Sequence, residues 1–218
     1  MSNAVSPKTV LILVGSPRRS GNSAAMAEAA RKGVEAAGHQ AKLRYIDDYI
    51  ESFLRDCRSC RLPSGDCSIT DRFQELFKND FLPADGVIFS TPLYWYGVSA
   101  QIKAFFDRTF CYYAASYPDA AQVTARMSRK RLALTIASEE TYPGAALGVI
   151  HQLQEYTRYT YSELVGVVRG IGNSRGEVAG DPGSPLDAAE RLGYRFFDAS
   201  YSDYHFDSPR DPRVWQQP

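Results

Sequence analysis

The sequence predicts a doubly wound α/β fold, in which helices cover both faces of one parallel sheet. A continuous apolar run at Thr9–Val14 ends at a glycine, which is typical of a strand buried on both faces. Four more strand-like runs follow, and segments with helical spacing of apolar residues separate them. The length of 218 residues suits one domain with room for an insertion. We therefore expect residues 1–218 to form a single domain around five parallel strands.

The first strand, the first helix and the second strand form one parallel unit. The strand covers residues 9–14, and the helix is expected over residues 22–37, where small apolar residues recur at helical spacing and Gly38 supplies a stop. The second strand follows at residues 41–46. Crossover connections between parallel strands are right-handed, so we expect this unit to be right-handed.

The later strands and helices alternate in the same way. The further strands are expected at residues 85–90, 131–137 and 164–168, with helices at residues 98–110 and 145–159. The last helix is expected to begin at Pro185, with the side chain of Ser184 as its N-cap. The residues that should face the core from these three helices are Ile102, Phe105, Phe106, Phe110, Leu147, Ile150, Leu153, Leu192 and Phe196.

Two stretches break this alternation. One is an insertion at residues 47–84, which holds three cysteines, and the other is a tail at residues 201–218, rich in Asp, Pro and aromatic residues. Both are longer than the usual connections between elements. Because the tail has no helical or strand period, we expect it to trail in solvent or to lie over a neighbouring subunit.

Composition and charge exclude several classes of protein. Lys plus Arg equals Asp plus Glu at 25 each, so no overall field draws the protein to nucleic acid or anionic lipid. The basic cluster at residues 126–131 precedes an apolar run, and we interpret it as a solvated strand entrance. No apolar stretch approaches about 18 residues, and no signal peptide is visible. We expect a cytoplasmic protein with reduced thiols and with neither a membrane nor a nucleic-acid partner.

The segment Gly-Ser-Pro-Arg-Arg-Ser-Gly-Asn-Ser at residues 15–23 joins the first strand to the first helix. Backbone N–H groups at a helix start, the hydroxyls of Ser16 and Ser23, the amide of Asn22 and a nearby guanidinium together favour a phosphate. The spacing differs from other phosphate loops, because five residues separate the two glycines and Pro17 stands at the second glycine of the dinucleotide pattern. The alternative is a polar turn that Asn22 only caps.

The segment Thr-Pro-Leu-Tyr-Trp-Tyr-Gly at residues 91–97 follows the third strand. Three consecutive aromatic side chains cannot all enter a core from one loop. Ligands of open α/β sheets lie outside the carboxyl ends of the strands, where the strand order reverses. A flat apolar ring with polar edges would suit an aromatic loop at that place. The alternative is a dimer contact made by the same aromatic residues, which is compatible with ring binding.

Taken together, the loops at residues 15–23 and 91–97 resemble those of NADPH-dependent FMN reductases and multimeric flavodoxins in type and order. The likeness covers residues 8–200 and implies a flavodoxin-like sheet with the strand order 2-1-3-4-5. It also implies that the first loop holds the phosphate of FMN and the second wraps the isoalloxazine, with a third loop at residues 138–142 near the other edge. The residues so assigned are Ser16, Arg18, Gly21, Asn22, Ser23, Pro92, Leu93, Tyr94, Trp95, Tyr96, Gly97 and Ser138.

The resemblance implies an oxidoreductase that takes electrons from NAD(P)H and passes them through FMN to a small-molecule acceptor, such as a quinone or free flavin. We assign no catalytic side chain, because the flavin carries the reaction. Glu139 and Glu140 are expected to face solvent, since negative charge beside the ring would disfavour its reduced anion. A homodimer or homotetramer with the flavin near an interface is also implied. The alternative function is a flavodoxin-type electron carrier that serves a protein partner.

The cysteines of the insertion, Cys57, Cys60 and Cys67, resemble the cysteine segment of iron-sulfur flavoproteins. The set is incomplete, because Pro63 stands where a further cysteine would fall. Cys111 is expected on a different element, so we expect no bound metal. We expect reduced thiols or an adventitious disulfide, with the insertion serving as a lid or a subunit contact.

Overall fold

The computed structural model, which describes residues 6–55, 61–114 and 116–199, contains a central sheet of five parallel strands. The strands are β1 Thr9–Val14, β2 Gln40–Tyr45, β3 Gly86–Pro92, β4 Arg131–Ser138 and β5 Glu163–Ile171. Their order in the sheet is β2-β1-β3-β4-β5, and each neighbouring pair is parallel. The predicted flavodoxin-like strand order is confirmed.

Helices cover both faces of this sheet in the part of the chain that the structure describes. They are α1 Asn22–Ala36, α2 Phe73–Glu75 with a π-helical continuation Leu76–Phe81, α3 Ala100–Tyr113, α4 Ala120–Met127, α5 Leu147–Thr160 and α6 Pro185–Tyr194. Short 3₁₀ turns lie at Ile46–Asp48, Pro143–Ala146 and Glu177–Gly180. Helices α1 and α6 pack on one face of the sheet, and the other helices pack on the opposite face.

The core has two layers because successive side chains of a strand point to opposite faces of the sheet. Val10, Ile12 and Val14 of β1 pack under α1 and α6. Leu11 and Leu13 of the same strand pack on the other side, with the aromatic residues of α2 and α3. All five side chains are fully buried, as the apolar run of this strand predicts.

The strand register brings four loops to one edge of the sheet. Val14 pairs with Ser90, and β3 runs on to Pro92, which pairs with Ala137 of β4. Ala137 in turn pairs with Gly170 of β5. The chain leaves β1 toward one face and β3 toward the other, so the loops after these two strands diverge. A crevice therefore opens between them at the place where the strand order reverses.

The second half of the insertion at residues 47–84 is a core helix, which the sequence analysis did not predict. Phe73, Phe77 and Phe81 recur at helical spacing along α2 and its π-helical continuation, and all three are fully buried. The ring of Phe77 stacks on Tyr112 of α3 with 4.4 Å between centroids. This helix fills the crossover between β2 and β3 and completes the second helical layer.

Four side chains differ from the sequence-based prediction in their burial or in their hydrogen bonds. Phe110 and Leu147 are exposed because they stand near the ends of their helices, beyond the contact with the sheet. Ser184 adopts a left-handed φ of 50° and its side chain makes no capping bond, although Pro185 does open α6. Lys130 of the basic cluster is buried, not solvated, and its Nζ donates to the carbonyls of residues 82 and 84.

One observed helix was not predicted, and some predicted features lie outside the described residues. Helix α4 was not predicted, because it is short and only Val123 and Met127 of its side chains are buried. The tail at residues 201–218 lies outside the described residues, as do Cys57 and Cys60. Within the described residues, no helix combines the length and apolar character needed to cross a membrane.

Candidate functional site

The loop after β1 ends in a helix start that has no side-chain cap. Gly21 is the N-cap of α1, and the first turn of this helix contains no acidic residue. The loop folds back on itself, because the N–H of Arg18 donates to Ser16 Oγ at 3.3 Å and the N–H of Gly21 donates to the carbonyl of Arg18 at 3.1 Å. The N–H groups of residues 22–24 remain as the unpaired donors of a helix start, which favour an anion.

The side chain of Asn22 binds a distant loop. Its Nδ2 donates to the carbonyls of Gly172 and Ser174 at 2.9 and 3.0 Å. Its Oδ1 accepts the N–H of Val178 at 3.3 Å. Because both amide hydrogens are used, the interpretation that this amide donates to a phosphate was wrong. The side chain instead fixes the loop after β5 against α1, and Asn22 offers a ligand only its backbone N–H.

Buried hydroxyl groups anchor the starts of α1 and α3 to the sheet. Ser90 Oγ donates to the carbonyl of Ser23 at 2.7 Å and accepts from Thr135 Oγ1 at 2.7 Å. At the start of α3, the N–H of Ser99 donates to Thr91 Oγ1 at 3.0 Å. Hydrogen bonds between buried groups are costly to break, so they hold the two loops in a fixed relation.

The residues 94–97, which we call the aromatic turn, form a tight reversal after β3. The N–H groups of Tyr94 and Gly97 donate to each other's carbonyls at 3.0 and 2.9 Å. Trp95 and Tyr96 have left-handed φ values of 49° and 60°, a conformation that costs such residues about 1 to 3 kcal/mol each. Strain of this kind is typical of ligand sites. The turn leaves the side chain of Trp95 95% exposed.

Arg169 sets the shape of the third loop, residues 138–142. Its Nη1 donates to the carbonyl of Tyr142 at 2.7 Å, its Nη2 donates to the carbonyl of Glu140, and its Nε donates to Ser138 Oγ at 3.3 Å. The hydroxyl of Ser138 also donates to the carbonyl of Glu140 at 3.1 Å. Ser138 therefore serves the internal structure of this loop.

A hydrogen bond joins the aromatic turn to the third loop across the crevice. Tyr96 donates its hydroxyl to Glu140 Oε1 at 3.2 Å. The hydrogen bond with Tyr142, and then that with Glu140, raise the pKa of Tyr96 to about 12, so this phenol is protonated at neutral pH. Glu139 is exposed, as expected, whereas Glu140 is half-buried and its carboxylate takes part in this solvent-exposed bridge.

The four loops at this edge enclose one cavity of about 660 Å³. Every residue assigned to the site from the sequence lines it except Gly97, which closes the aromatic turn. The assigned residues that line the cavity are Ser16, Arg18, Gly21, Asn22, Ser23, Pro92, Leu93, Tyr94, Trp95, Tyr96 and Ser138. The structure thus brings together segments that are far apart along the chain.

The loop after β5 also lines the cavity, through Gly172, Asn173 and Arg175, and sequence reasoning missed it. The predicted end of β5 at residue 168 falls short of the observed end at Ile171. The polar segment that follows Ile171 was therefore not predicted to line the site. The available signal was a Gly-Asn-Ser-Arg segment directly after an apolar run. Arg175 adds a second guanidinium to that of Arg18 in the lining of the cavity.

Cys111 lies on α3, a different element from the insertion, as expected, yet its thiol is a neighbour of the Cys67 thiol. The two side chains are buried and hydrogen-bonded to each other. Among the residues that the structure describes, no group of three or more His, Cys, Asp or Glu side chains could hold a metal ion. Since Cys57 and Cys60 lie outside those residues, the absence of a metal stays a prediction.

The strand order and the cavity define the class of the protein. It is an open α/β protein of the flavodoxin type, with its cavity where the loops after β1 and β3 diverge. The chain belongs to the family described as having a flavodoxin-like fold, and the family profile matches residues 8–169.

Two relatives illustrate the range of similar sequences. An iron-sulfur flavoprotein of Archaeoglobus fulgidus is 35% identical over 100 residues, which are 46% of this chain and 44% of that protein. A protein of Bacillus subtilis named as an NAD(P)H-dependent FMN-containing oxidoreductase, YwqN, is 27% identical over 184 residues, or 84% of this chain and 95% of that protein. The match thus spans less than half of the first relative and nearly all of the second.

Solved structures share the fold at low sequence identity. The NAD(P)H:quinone oxidoreductase from Methanothermobacter marburgensis has a TM-score of 0.67 at 17% identity, over 91% of this chain and all of that one. The Trp repressor binding protein from Bacillus subtilis has a TM-score of 0.63 at 23% identity, over 84% and 99%. An FMN-dependent NADH-azoreductase from Bacillus anthracis, in complex with FMN, has a TM-score of 0.61 at 14% identity, over 87% and 99%. These likenesses show the fold.

Proposed function

We propose that the protein is an FMN-dependent NAD(P)H oxidoreductase that passes electrons to a small-molecule acceptor, such as a quinone or free flavin. One observation carries this proposal: a single cavity joins the uncapped start of α1 to the exposed aromatic turn. The name of the Bacillus subtilis relative, which states both NAD(P)H and FMN, supports it. The quinone oxidoreductase and the azoreductase with the same fold support the class of acceptor.

The residues of the cavity fit the phosphate end of FMN. The backbone N–H groups of residues 22–24, the hydroxyls of Ser16 and Ser23, and the guanidinium of Arg18 would hold the phosphate. Arg175 offers a further positive charge at the same cavity. The loop provides one terminal-phosphate site and lacks the dinucleotide glycine pattern, which favours FMN over FAD.

The aromatic side of the cavity fits a flat ring. A volume of about 660 Å³ lies within the range of roughly 300 to 1,000 Å³ that is usual for ligand pockets. Pro92, Leu93 and Tyr94 would lie against the ring, and Trp95 would shape the place of the acceptor. FMN, when bound, would supply the redox chemistry, which is the transfer of electrons from a nicotinamide to an acceptor. The side chains position the ring and exclude water.

The chain itself is assigned no general acid or base. The hydroxyl of Tyr96 is held by Glu140 and stays protonated, so its role is to bridge two loops over the cavity. The carboxylate of Glu140 is likewise occupied by this bridge. Variants should therefore differ in reaction rate according to how firmly their loops position the flavin ring.

The test is the visible spectrum of the purified protein, followed by anaerobic titration with NADH and with NADPH. We expect flavin bands that NAD(P)H bleaches within seconds and that a quinone then restores. Flavin bands that persist through both titrations would contradict a reductase and support the electron carrier. Protein that binds no FMN after reconstitution would contradict both functions.

We also propose a homodimer or homotetramer, in which a second copy covers the aromatic turn. Trp95, together with half-exposed Tyr94 and Tyr96, presents an apolar surface beside the cavity, and such patches are typical of interfaces. Light scattering after size exclusion measures the mass, and Trp95→Ser should shift it toward the monomer. A monomeric wild type would contradict this proposal. The cytoplasmic location stays a prediction, which cell fractionation checks.

A further inference from the structure

Cys67 and Cys111 lie side by side in the core between the insertion and α3. Their side chains are 2% and 3% exposed, and their thiols are hydrogen-bonded to each other. The carbonyl of Cys67 accepts from Nε2 of Gln74 at 2.9 Å, and the thiol of Cys111 donates to the carbonyl of Arg108 at 3.0 Å. Each cysteine is therefore held by a hydrogen bond within its own segment, the insertion for Cys67 and α3 for Cys111.

The guanidinium of Arg108 gives the Cys67 thiol a positive neighbour. Its Nη2 lies 3.6 Å from Cys67 Sγ. The polar contact with the thiol of Cys111 has the largest effect on the pKa of Cys67, and it lowers that pKa. Burial opposes it, and the N–H of Ile69 and the charge of Arg108 reinforce it, so that the pKa of Cys67 falls to about 6. Because the thiolate is the nucleophilic form of cysteine, Cys67 is a reactive sulfur with a second sulfur beside it.

We propose that Cys67 and Cys111 form a redox pair, which a hydroperoxide such as hydrogen peroxide oxidises to a disulfide between the insertion and α3. The two thiols lie on either side of one residue, because Cys67 Sγ is 3.6 Å from Nη2 of Arg108 and Cys111 Sγ is 3.0 Å from the carbonyl of Arg108. They also interact with each other, so they need no large movement to meet. Their burial admits a small oxidant during local opening and disfavours attack by bulky disulfides such as oxidised glutathione. This inference does not depend on the proposed flavin chemistry.

The reaction transfers two electrons from the two sulfurs to one peroxide. The thiolate of Cys67 attacks a peroxide oxygen, the O–O bond breaks, and Cys67 becomes a sulfenic acid. The departing hydroxide takes a proton from solvent and becomes water. The sulfur of Cys111 then attacks the sulfenic sulfur, so that the S–S bond forms and the S–O bond breaks. The second water leaves with the proton of the Cys111 thiol.

The disulfide would connect two segments that only non-covalent contacts now join. Arg108 holds the insertion to α3 through the carboxylate of Asp71 and the carbonyl of Ser52. Helix α3 starts just after Ser99, which the chain reaches directly from the aromatic turn. Oxidation would thus tie the insertion to the helix that supports one wall of the cavity, and reduction by a dithiol would release it.

The test adds one equivalent of hydrogen peroxide to the reduced 218-residue protein, followed by alkylation, proteolysis and mass spectrometry. We expect the loss of two thiols per chain and a peptide pair in which Cys67 is joined to Cys111. Cys111→Ser should instead accumulate a sulfenic acid at Cys67, which dimedone traps. The double variant Cys57→Ser with Cys60→Ser is the matched control and should form the disulfide as the wild type does.

Any of three results would overturn the proposal. One is a native disulfide that contains Cys57 or Cys60, and another is a disulfide between Cys67 and Cys111 that forms only in guanidinium chloride. A Cys67 that stays reduced in the folded wild type would overturn it as well. Thermal unfolding shows whether each variant is folded, and Cys111→Ala replaces Cys111→Ser if the buried hydroxyl prevents folding.

Discussion

At the scale of single residues, the buried ion pair of Arg108 and Asp71 joins the insertion to α3. The side chains are 0% and 1% exposed, and two bonds of 2.5 and 2.7 Å connect the guanidinium to the carboxylate. Burial acts to raise the pKa of Asp71, but Arg108 and the N–H groups of Glu51 and Phe73 outweigh it and hold this pKa below its ordinary value. Asp71 is therefore charged at neutral pH and depends on Arg108.

Arg108→Met is expected to lower the free energy of unfolding by about 3 to 5 kcal/mol, because the change leaves a buried carboxylate without its partner. Urea unfolding followed by circular dichroism measures the loss. Lys103→Met is the control on the same helix, since it removes an exposed pair with Asp107 that should contribute about 0.3 to 0.5 kcal/mol. Similar losses in the two variants would contradict the importance of burial.

Arg18→Ala and Asn22→Ala should separate ligand binding from folding. Arg18→Ala is expected to weaken FMN binding by about 1.5 to 3 kcal/mol, the contribution of a charge-assisted bond, with little change in the unfolding of the apoprotein. Asn22→Ala is expected to lower the free energy of unfolding by about 1 to 3 kcal/mol, because it removes three bonds to the loop after β5. Fluorescence titration and urea unfolding measure the two effects. If Asn22→Ala weakened FMN binding and left the unfolding of the apoprotein unchanged, the Asn22 amide would be a phosphate ligand after all.

At the scale of elements, the close approach of α1 and α6 depends on two glycines. A β-carbon at Gly33 would overlap the carbonyl of Glu190, and one at Gly193 would overlap the carbonyl of Ala30. Both obstacles are backbone atoms, which cannot rotate away as a side chain would. The two helices therefore cross at a distance that only glycine permits at these positions.

Gly33→Ala is expected to destabilise the protein by about 1 to 3 kcal/mol, because overpacking outweighs the gain in helix propensity of about 1 kcal/mol. Gly180→Ala is the matched control, since a β-carbon there meets no atom within 4 Å and should change stability by less than about 0.5 kcal/mol. Thermal unfolding compares the two. A neutral Gly33→Ala would mean that the helices can move apart freely.

Lys130 couples the segment after the π-helix to β4, and it makes stability depend on pH. Burial, aided by Arg126 and opposed by Asp85, lowers the pKa of Lys130 to about 8. Since the ordinary value is about 10.4, the unfolded chain binds more protons between these pH values, and stability should rise as pH increases from about 8 to 10. Urea unfolding at several pH values measures this slope. Lys130→Met should flatten it, whereas Lys32→Met, at an exposed site, should leave it unchanged.

At the scale of the whole molecule, the strand order places the loops after β1, β3, β4 and β5 around one cavity. If FMN binds there, its phosphate end and its ring end contact different elements and should stabilise the domain as a unit. A ligand that binds only the folded state adds about 2.7 kcal/mol to the free energy of unfolding when it is present at 100 times its Kd. A comparison of this stabilisation between FMN and related flavins shows which part of the ligand the protein recognises.

FMN is therefore expected to raise the thermal midpoint of the apoprotein more than equal concentrations of riboflavin, which lacks the phosphate, or of FAD, which extends it. Differential scanning fluorimetry of the reconstituted protein makes the comparison. Riboflavin and FMN should be nearly equivalent in Arg18→Ala, because the charge that distinguishes them loses its partner. Equal shifts with the two ligands in the wild type would argue against a phosphate site at the start of α1.

The strands of the sheet and the loops at residues 15–23 and 91–97 were predictable from the sequence, and the strand order followed from the family resemblance. These features follow from local information. The apolar run of β1 needs only neighbouring residues, and the Gly-Ser-Pro-Arg segment and the aromatic turn are continuous in the chain. Two helices were not predicted. The apolar pattern of α4 is short, and the helix that contains Phe73, Phe77 and Phe81 lies inside a long connection.

The pairing of polar groups became visible only in the three-dimensional packing. This packing joined Asn22 to Gly172, Cys67 to Cys111 and Asp71 to Arg108, and it added the loop after β5 to the cavity. The partners of such pairs are separated by long stretches of chain, and no periodicity of 2 or 3.6 residues relates them. The energy of a buried polar group depends on whether its partner arrives at hydrogen-bond distance, which the packing of helices on the sheet sets and the local sequence does not.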